Sequence, residues 1–193
     1  GSALEGARNL RAIALDKTGT LTTGQPQLMG VQVWGSLPTG EEERIAWQLA
    51  SRSDHPVSRA IAKGLESSFA HLSSHNTQDV QALPGRGMAG TVDGVRYVLG
   101  NLRLMREMGI ASETLEEALQ RHEQQGHTVT LLADERSVHA IFAVADPLRA
   151  QAPQAVRQLQ MVGVQPMVLS GDNSTTVATI AAQAGISQAQ GNL

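Results

Sequence analysis

Asp16-Lys17-Thr18-Gly19-Thr20-Leu21-Thr22 is the stretch that decides the fold of this chain. It follows residues 10–15, a short and mostly apolar run that is typical of a buried strand in a parallel sheet. The abrupt change to polar residues predicts that the strand ends at Asp16 and opens into a loop. Because ligands of open parallel sheets gather at the carboxyl ends of the strands, we expect Asp16 at a functional edge.

A second pattern of strand, loop and helix lies near the other end of the sequence. The apolar run at residues 166–169 is followed by Ser170-Gly171-Asp172-Asn173, and residues 174–184 have the spacing of a helix. The carboxyl ends of parallel strands meet at the same edge of a sheet. The two polar loops are therefore expected to face one site.

The intervening residues, 25–143, have a different character. Their periodicity predicts helices at 40–51, 56–67, 102–108 and 112–125, and strands at 28–34, 89–92, 95–99, 129–133 and 138–144. The dipeptide Asp93-Gly94 joins two of these strands and is typical of a tight hairpin, which requires antiparallel pairing. We therefore predict an α+β insertion on an antiparallel sheet, inside an α/β domain formed by residues 1–24 and 144–193.

The composition excludes several classes of function. The chain has a net charge of −3 and no basic stripe, which argues against nucleic acid as a partner. It contains no cysteine, so disulfides, thiol nucleophiles and thiolate metal sites are absent. No apolar run approaches the roughly 20 residues that a membrane-spanning helix needs. With 41% hydrophobic residues and few aromatic ones, the sequence is that of a globular protein with an aliphatic core.

Asp16 has the chemistry of a nucleophile. A carboxylate at the mouth of a strand, followed by hydroxyl and glycine residues, can attack phosphorus while backbone amides hold the phosphate oxygens. An isolated Asp at such a position would more often cap a loop. The whole seven-residue string, however, resembles the phosphorylation signature of P-type ATPases. That resemblance implies that ATP phosphorylates Asp16, that Lys17 and Thr18 position the phosphate, and that Asp16 and the Thr18 carbonyl bind Mg²⁺.

The residue two positions after Asp16 separates two reaction classes. Phosphatases related to this fold carry a second Asp there, which acts as general acid and then as general base. This chain has Thr18 instead. Its acyl phosphate is therefore expected to hydrolyse slowly and to persist long enough to drive a conformational cycle.

Two further motifs strengthen the resemblance. Ser170-Gly171-Asp172-Asn173 is similar to the family's Thr-Gly-Asp-Asn, which implies that Ser170 and Gly171 hold the phosphoryl group and that Asp172 supports the magnesium and nucleotide region. Asp146-Pro147-Leu148-Arg149 resembles the Asp-Pro-x-Arg hinge where the family's chain re-enters the phosphorylation domain. Alone, the first motif would be a turn with a helix cap and the second would merely begin a helix.

The middle segment resembles the nucleotide-binding domain of the heavy-metal branch of this family. In Ser53-Asp54-His55-Pro56, Pro56 suits the first turn of a helix, and the resemblance adds that His55 contacts the nucleotide. Gly85-Arg86-Gly87 and Gly100 fit the two glycine sites where adenine and ribose lie close to the backbone, although turns would also explain them. Ala50 stands where the family commonly has a Glu that contacts adenine, so recognition is expected to be weaker, or Ser51 or Asp54 substitutes.

The resemblance implies a haloacid-dehalogenase-like phosphorylation domain (residues 1–24 and 144–193, incomplete) with an inserted nucleotide-binding domain (residues 25–143). It implies ATP and Mg²⁺ as ligands, and it makes the chain a cytoplasmic portion of an integral membrane protein. The actuator and membrane domains would be parts of the same polypeptide, and the transported cation would bind outside this chain, with selectivity in the membrane helices. The segment around His55 favours zinc, cadmium or lead over copper. The family's Gly-Asp-Gly-x-Asn-Asp motif and phosphate-binding Lys are expected beyond Leu193, so phosphorylation of this chain alone should be very slow. A soluble phosphatase and a non-catalytic nucleotide-binding module are the rival hypotheses.

Overall fold

The computed structural model describes residues 11–72 and 76–193, which form two compact units. Unit 1 comprises the described residues up to Gln25 together with Glu123–Thr128 and Asp146–Leu193. Unit 2 comprises Pro26–His122 and Val129–Ala145. The short segment Glu123–Thr128 joins unit 1 because Thr176 donates its Oγ1 hydrogen to the His127 carbonyl at 2.9 Å.

Unit 1 is built on a three-stranded parallel sheet. Its strands are β1 (Arg11–Asp16), β8 (Val164–Leu169) and β9 (Gln188–Gln190), in the order β1-β8-β9. Helices α5 (Ala152–Met161) and α6 (Ser174–Ala184) contribute five of the eight buried residues of its core. The buried residues of that core, which surrounds β8, are Leu21, Ala152, Val156, Val168, Val177, Ala181, Ala184 and Ile186.

The prediction that β1 is a buried strand is wrong, although the strand itself and its parallel pairing are present. Its first four residues are exposed, and Ile13 is 41% exposed. β1 is an edge strand, and the core packs around the central strand β8 instead. Leu10, the first residue of the predicted run, lies outside the described residues.

Unit 2 is built on a six-stranded sheet in the order β2-β7-β6-β5-β4-β3. The strands are β2 (Gln27–Val33), β3 (Thr77–Leu83), β4 (Gly87–Val92), β5 (Val95–Gly100), β6 (Thr128–Ala133) and β7 (Val138–Ala145). The hairpin at Asp93-Gly94 is present: Val92 pairs with Val95, and both turn residues have positive φ. The antiparallel pairing that this turn requires is therefore observed.

Helices cover both faces of the unit 2 sheet. On one face lie α1 (Glu41–Ala50) and α2 (Pro56–Phe69), and on the other lie α3 (Leu102–Glu107) and α4 (Glu113–Glu123). Neighbouring residues of β7 alternate between the two cores, since Ala140 and Phe142 pack on the first and Ile141 on the second. This double coverage explains why β7 is buried along nearly its whole length.

The helices and strands predicted from periodicity are present within a few residues of their expected bounds, whereas β3, α5 and β9 were not predicted. β3 is an edge strand with mostly exposed side chains, and its pairing with β4 changes register between Gln78 and Gln81. Such a strand lacks the regular alternation on which a prediction depends. Within the described ranges, no helix is long and apolar enough to cross a membrane.

Candidate functional site

The parallel pairing of β1 with β8 brings the two predicted loops of unit 1 together. Asp16 is the last residue of β1 and lies opposite Leu169, the last residue of β8. Ser170, Gly171 and Asp172 follow directly. The carboxylate of Asp16 is exposed and makes no side-chain cap to the following turn. It is therefore accessible at the strand edge where the sequence predicted it.

Lys17 joins the two loops through its side chain. Its Nζ lies 2.7 Å from Asp172 Oδ2, and only 6% of the lysine side chain is exposed. A buried ammonium needs such a partner, because an uncompensated charge in this position would be costly. The structure thus directs the Lys17 side chain to Asp172. The pair ties residues 17–25, which we call the nucleophile loop after the predicted role of Asp16, to the loop after β8.

The loop after Asp16 is bent by two residues. Thr18 is exposed and extended, with φ −73° and ψ 123°, while Gly19 has φ 80°. A left-handed residue is favourable for glycine and costs other residues about 1 kcal/mol or more. In the second loop, Ser170 Oγ accepts a hydrogen bond from the Asp172 amide at 3.1 Å, and Asn173 caps α6 by accepting from Thr175 and Thr176.

Asp146 fastens the far end of the nucleophile loop. Its Oδ2 accepts from the hydroxyl of Thr22 at 2.5 Å, and Thr22 is completely buried. Its Oδ1 accepts from the Thr23 hydroxyl and from the amides of Gly24 and Gln25, at 3.0 to 3.2 Å. One carboxylate therefore gathers four donors from four consecutive residues.

Arg149 completes this attachment. Its Nη2 donates to the Gly19 carbonyl at 2.9 Å, and its backbone amide donates to the Leu21 carbonyl at 2.8 Å. The motif at 146–149 does not begin a helix, since α5 starts only at Ala152. Sequence reasoning identified the hinge motif but missed its bonds to residues 19–25. The buried Thr22, over 120 residues away in sequence, gave no signal of its partner.

In unit 2, His55 begins helix α2. Its Nδ1 accepts from the Val57 amide at 3.3 Å, and Pro56 occupies the first turn. An Nδ1 that accepts leaves the ring hydrogen of neutral His55 on Nε2, and the residue is exposed. His55 can thus cap its helix and still offer a donor to a ligand.

The glycines predicted to admit a ligand have unequal surroundings. A Cβ on Gly87 would lie 2.2 Å from the Leu99 carbonyl oxygen, and a Cβ on Gly100 would lie 2.6 Å from the Arg86 carbonyl oxygen. Gly87 and Gly100 face each other across β4 and β5, so the close approach of these strands requires both. Gly85, with φ 72°, has open space where a Cβ would project. Of the three, only Gly85 presents a free face to a ligand.

One contact shows that the start of α2 at His55 lies at the same end of unit 2 as the turn at Gly85-Arg86-Gly87, which we call the glycine turn. Ser58, on the first turn of α2, lies with its Oγ 4.0 Å from the Sδ of Met88, which follows Gly87. Ala50 is completely buried in the core between sheet and helices, while Ser51 and Asp54 are exposed. Ala50, the residue that stands where the resemblance led us to expect an adenine-contacting Glu, therefore lies inside the core.

The donor set for Mg²⁺ is small but of the right chemistry. Asp16 and Thr18 are exposed neighbours that offer a carboxylate and a main-chain carbonyl, both hard oxygen donors. Among the residues that the structure describes, no three His, Asp or Glu side chains form a metal cage. Mg²⁺ usually takes only one or two carboxylates and fills its shell with substrate phosphates and water, so the set fits.

Comparison with known proteins identifies the family and the relatives that this sequence resembles. Residues 10–191 match the family described as haloacid dehalogenase-like hydrolase. The chain is 37% identical over 191 residues to a probable copper-importing P-type ATPase A of Enterococcus hirae, covering 96% of this chain and 25% of that protein. It is 32% identical over 197 residues to a probable cadmium-transporting ATPase of Staphylococcus aureus, covering 100% of this chain and 27% of that protein. The chain thus spans about a quarter of these relatives.

The fold has solved counterparts as well. A crystal structure of a zinc-transporting PIB-type ATPase in the E2.Pi state superposes with a TM-score of 0.68 and 28% identity. The match covers 96% of this chain and 29% of that one. The catalytic domain of the CPx-ATPase CopB-B, at 20% identity and a TM-score of 0.66, shares the fold over the whole chain.

Proposed function

Because the chain belongs to the haloacid dehalogenase-like hydrolase family, we propose that it is the ATP-binding and phosphorylation region of a heavy-metal P-type ATPase. The predicted fold class and the predicted resemblance to heavy-metal P-type ATPases are confirmed. In this proposal unit 2 binds ATP through His55, Pro56 and the open face of Gly85, while Gly87 and Gly100 support that site by letting β4 and β5 approach closely. Unit 1 supplies the nucleophile.

The observation that carries the proposal is the placement of Asp16. Its exposed carboxylate stands at the end of β1, next to the loop of Ser170, Gly171 and Asp172. The ion pair between the buried Lys17 and the partly exposed Asp172 holds the two loops together. In the proposed reaction a carboxylate oxygen of Asp16 attacks the γ-phosphorus of ATP. The bond from that phosphorus to the β,γ-bridging oxygen breaks, and ADP leaves with the electron pair.

The residues around Asp16 would position the phosphoryl group. The hydroxyl of Ser170 and the amides of Gly171 and Thr18 are donors at the strand edge, which suits an anionic group. Mg²⁺, held by Asp16 and the Thr18 carbonyl, would offset phosphate charge when bound. With Thr18 in place of an acid, the chain has no carboxyl group at that position to activate water, so the aspartyl phosphate would persist.

Transport would be carried out by the whole protein, of which this region would lie on the cytoplasmic side of a membrane. The actuator and membrane domains would then be parts of the same polypeptide. The preference for zinc, cadmium or lead over copper stays a prediction, because the relatives include both copper and cadmium transporters. Of the rivals, a soluble phosphatase is disfavoured by Thr18 and by the large nucleotide-type insertion.

The test is acid-stable labelling by radioactive ATP. The chain is incubated with labelled ATP and Mg²⁺, quenched in acid and treated with hydroxylamine, which cleaves acyl phosphates. We expect slow labelling that hydroxylamine removes. Asp16→Asn should abolish labelling, whereas the control Asp79→Asn, at an exposed aspartate of unit 2, should label as the wild type does. Equal labelling of the Asp16→Asn form would show that Asp16 is not the nucleophile.

A further inference from the structure

The aromatic side chains of the chain are all engaged away from the glycine turn. The chain has five of them, and all five lie in the described part of unit 2. Tyr97 and Phe142 are buried in the sheet. Trp47 packs on Phe69, the last residue of α2 and thus at the end opposite His55, with ring centroids 6.5 Å apart. Trp34 packs against the second core cluster. None of these Phe, Tyr and Trp rings is therefore placed to stack on a base bound at the glycine turn.

Arg86 supplies a flat group at this turn. Its guanidinium Nε donates to Glu107 Oε2 at 2.6 Å, and its Nη1 donates to the carbonyl of Pro84 at 3.2 Å. The guanidinium is thereby folded back over the start of its own turn, next to Gly85. A third of the side chain, 34%, remains exposed. The planar group is therefore both fixed and accessible.

The backbone of the turn is already occupied. The Arg86 amide donates to the Leu83 carbonyl, and the Arg86 carbonyl accepts from the Asn101 amide. The Gly85 carbonyl accepts from Asn101 Nδ2 at 2.9 Å. With these main-chain groups paired inside the protein, recognition at the turn depends on the open face of Gly85 and on the side chain of Arg86.

Glu107 determines how Arg86 is presented. It lies at the end of α3 and is also approached by Arg103 Nε at 3.4 Å. Its carboxylate balances the charge of Arg86, and the bond to Nε restricts the torsions of a side chain that would otherwise be mobile. A guanidinium is weakly hydrated on its faces and stacks on planar rings, and a pre-ordered group loses less entropy on binding.

We propose that the guanidinium plane of Arg86 is the surface on which the adenine base stacks, and that Glu107 is the positioning residue that holds this plane. The inference rests on the proposed function, because it assumes that unit 2 binds ATP. It extends that function by assigning base recognition to two residues that the family resemblance did not single out.

The experiment titrates the whole 193-residue chain with adenosine and, separately, with ATP, and follows binding by NMR. The variants are Arg86→Lys, which keeps the charge and loses the plane, and Arg86→Met, which loses both. Arg106→Met is the matched control, since Arg106 is on the same helix as Glu107 but pairs with Glu116. The Hε resonance of Arg86, hydrogen-bonded to Glu107, serves as a direct probe of stacking.

Stacking predicts that both Arg86 variants weaken adenosine and ATP by the same factor, roughly fivefold. Arg106→Met should bind as the wild type does. Adenosine should shift the Arg86 Hε resonance upfield through its ring current, and Glu107→Gln should weaken adenosine by a smaller factor than Arg86→Met. Melting curves of each variant identify any loss that is due to unfolding.

Several results would overturn the inference. If Arg86→Lys retains wild-type affinity while Arg86→Met loses ATP alone, Arg86 acts through its charge on phosphate and not as a platform. Unchanged adenosine affinity in both variants would also refute stacking while leaving ATP binding by unit 2 intact. Unchanged affinity in Glu107→Gln would refute the positioning role. A wild-type chain that binds neither ligand would overturn the proposed function together with this inference.

Discussion

Replacing Asp146 by Ala should lower the stability of unit 1 by more than the loss of a single exposed ion pair would. The carboxylate accepts four hydrogen bonds, from the hydroxyls of Thr22 and Thr23 and from the amides of Gly24 and Gln25. Substitution by Ala removes all four acceptor contacts at once. The nucleophile loop would then be joined to the 146–149 segment only through backbone bonds and Arg149.

The size of this loss of stability depends on which of the four donors can bind water instead of Asp146. Thr23, Gly24 and Gln25 are exposed, so water replaces most of what they lose. Thr22 is completely buried, and without Asp146 its hydroxyl keeps only the Lys17 carbonyl at 3.1 Å as an acceptor, so loss of the charged acceptor costs about 1–2 kcal/mol. The three exposed donors lose part of the free energy of their charge-assisted hydrogen bonds, which brings the total loss of stability to about 2–4 kcal/mol.

The assay must report on unit 1. Trp34 and Trp47 both belong to unit 2, so tryptophan fluorescence would follow the wrong unit. Amide hydrogen exchange at Val168, a completely buried residue of β8, reports on the opening of the unit 1 core. A loss of 2 kcal/mol should accelerate that exchange about 30-fold.

Two control variants separate the contributions. Thr22→Val removes the buried hydroxyl, so Asp146→Ala should cost at least about 1 kcal/mol less in that background, as expected for residues in direct contact. Thr23→Val, at the exposed position, should change stability by less than about 0.5 kcal/mol. If Asp146→Ala alone costs less than about 0.5 kcal/mol, or if its effect simply adds to that of Thr22→Val, the carboxylate does not hold the loop.

Three further outcomes are expected. Gly87→Ala should destabilise unit 2 by more than about 3 kcal/mol, because the new Cβ would lie 2.2 Å from the Leu99 carbonyl oxygen. Gly85→Ala should cost only about 1–2 kcal/mol, because its backbone is strained but the space for a Cβ is open. Urea unfolding followed by tryptophan fluorescence measures both. His55→Asn keeps a good helix cap but removes the imidazole, so calorimetry should show weaker ATP binding at an unchanged melting temperature, and unchanged affinity would remove His55 from the site. Burial lowers the pKa of His127 below its ordinary value of 6.5, so the unfolded chain takes up a proton that the folded chain resists. Stability of unit 1 should therefore fall as the pH drops through about 6.5, and His127→Gln should flatten that dependence in exchange measurements at several pH values.

Local patterns predicted most of the elements of unit 2. The Asp93-Gly94 hairpin depends on two residues that adopt positive φ, and helix α2 depends on Pro56 and the apolar spacing after it. Both are set by residues close in sequence, so periodicity and turn chemistry were sufficient. The edge strand β3 was missed because most of its side chains are exposed and a register shift interrupts its alternation.

In the candidate site, too, some features were predicted from the sequence and others were not. Asp16, Ser170 and Asp172 were predicted at one strand edge, and the parallel register of β1 and β8 places them there. The Lys17–Asp172 ion pair was not predicted, because a sequence does not show which way a lysine side chain turns. The same holds for the Arg86–Glu107 pair, in which the two residues are 21 positions apart.

The sequence by itself determined the chemistry of this protein: the carboxylate of Asp16, the threonine two residues later, the helix start at His55, and the residues with positive φ at its turns. These features depend on residue type and on short-range spacing, and both can be read directly from the sequence. Only the tertiary structure decided which strand is covered, which glycines serve strand packing instead of a ligand, and which distant side chains pair with the nucleophile loop. Burial and pairing of this kind depend on what other parts of the chain bring alongside, so β1 is apolar yet exposed, and Thr22 is polar yet completely buried against Asp146.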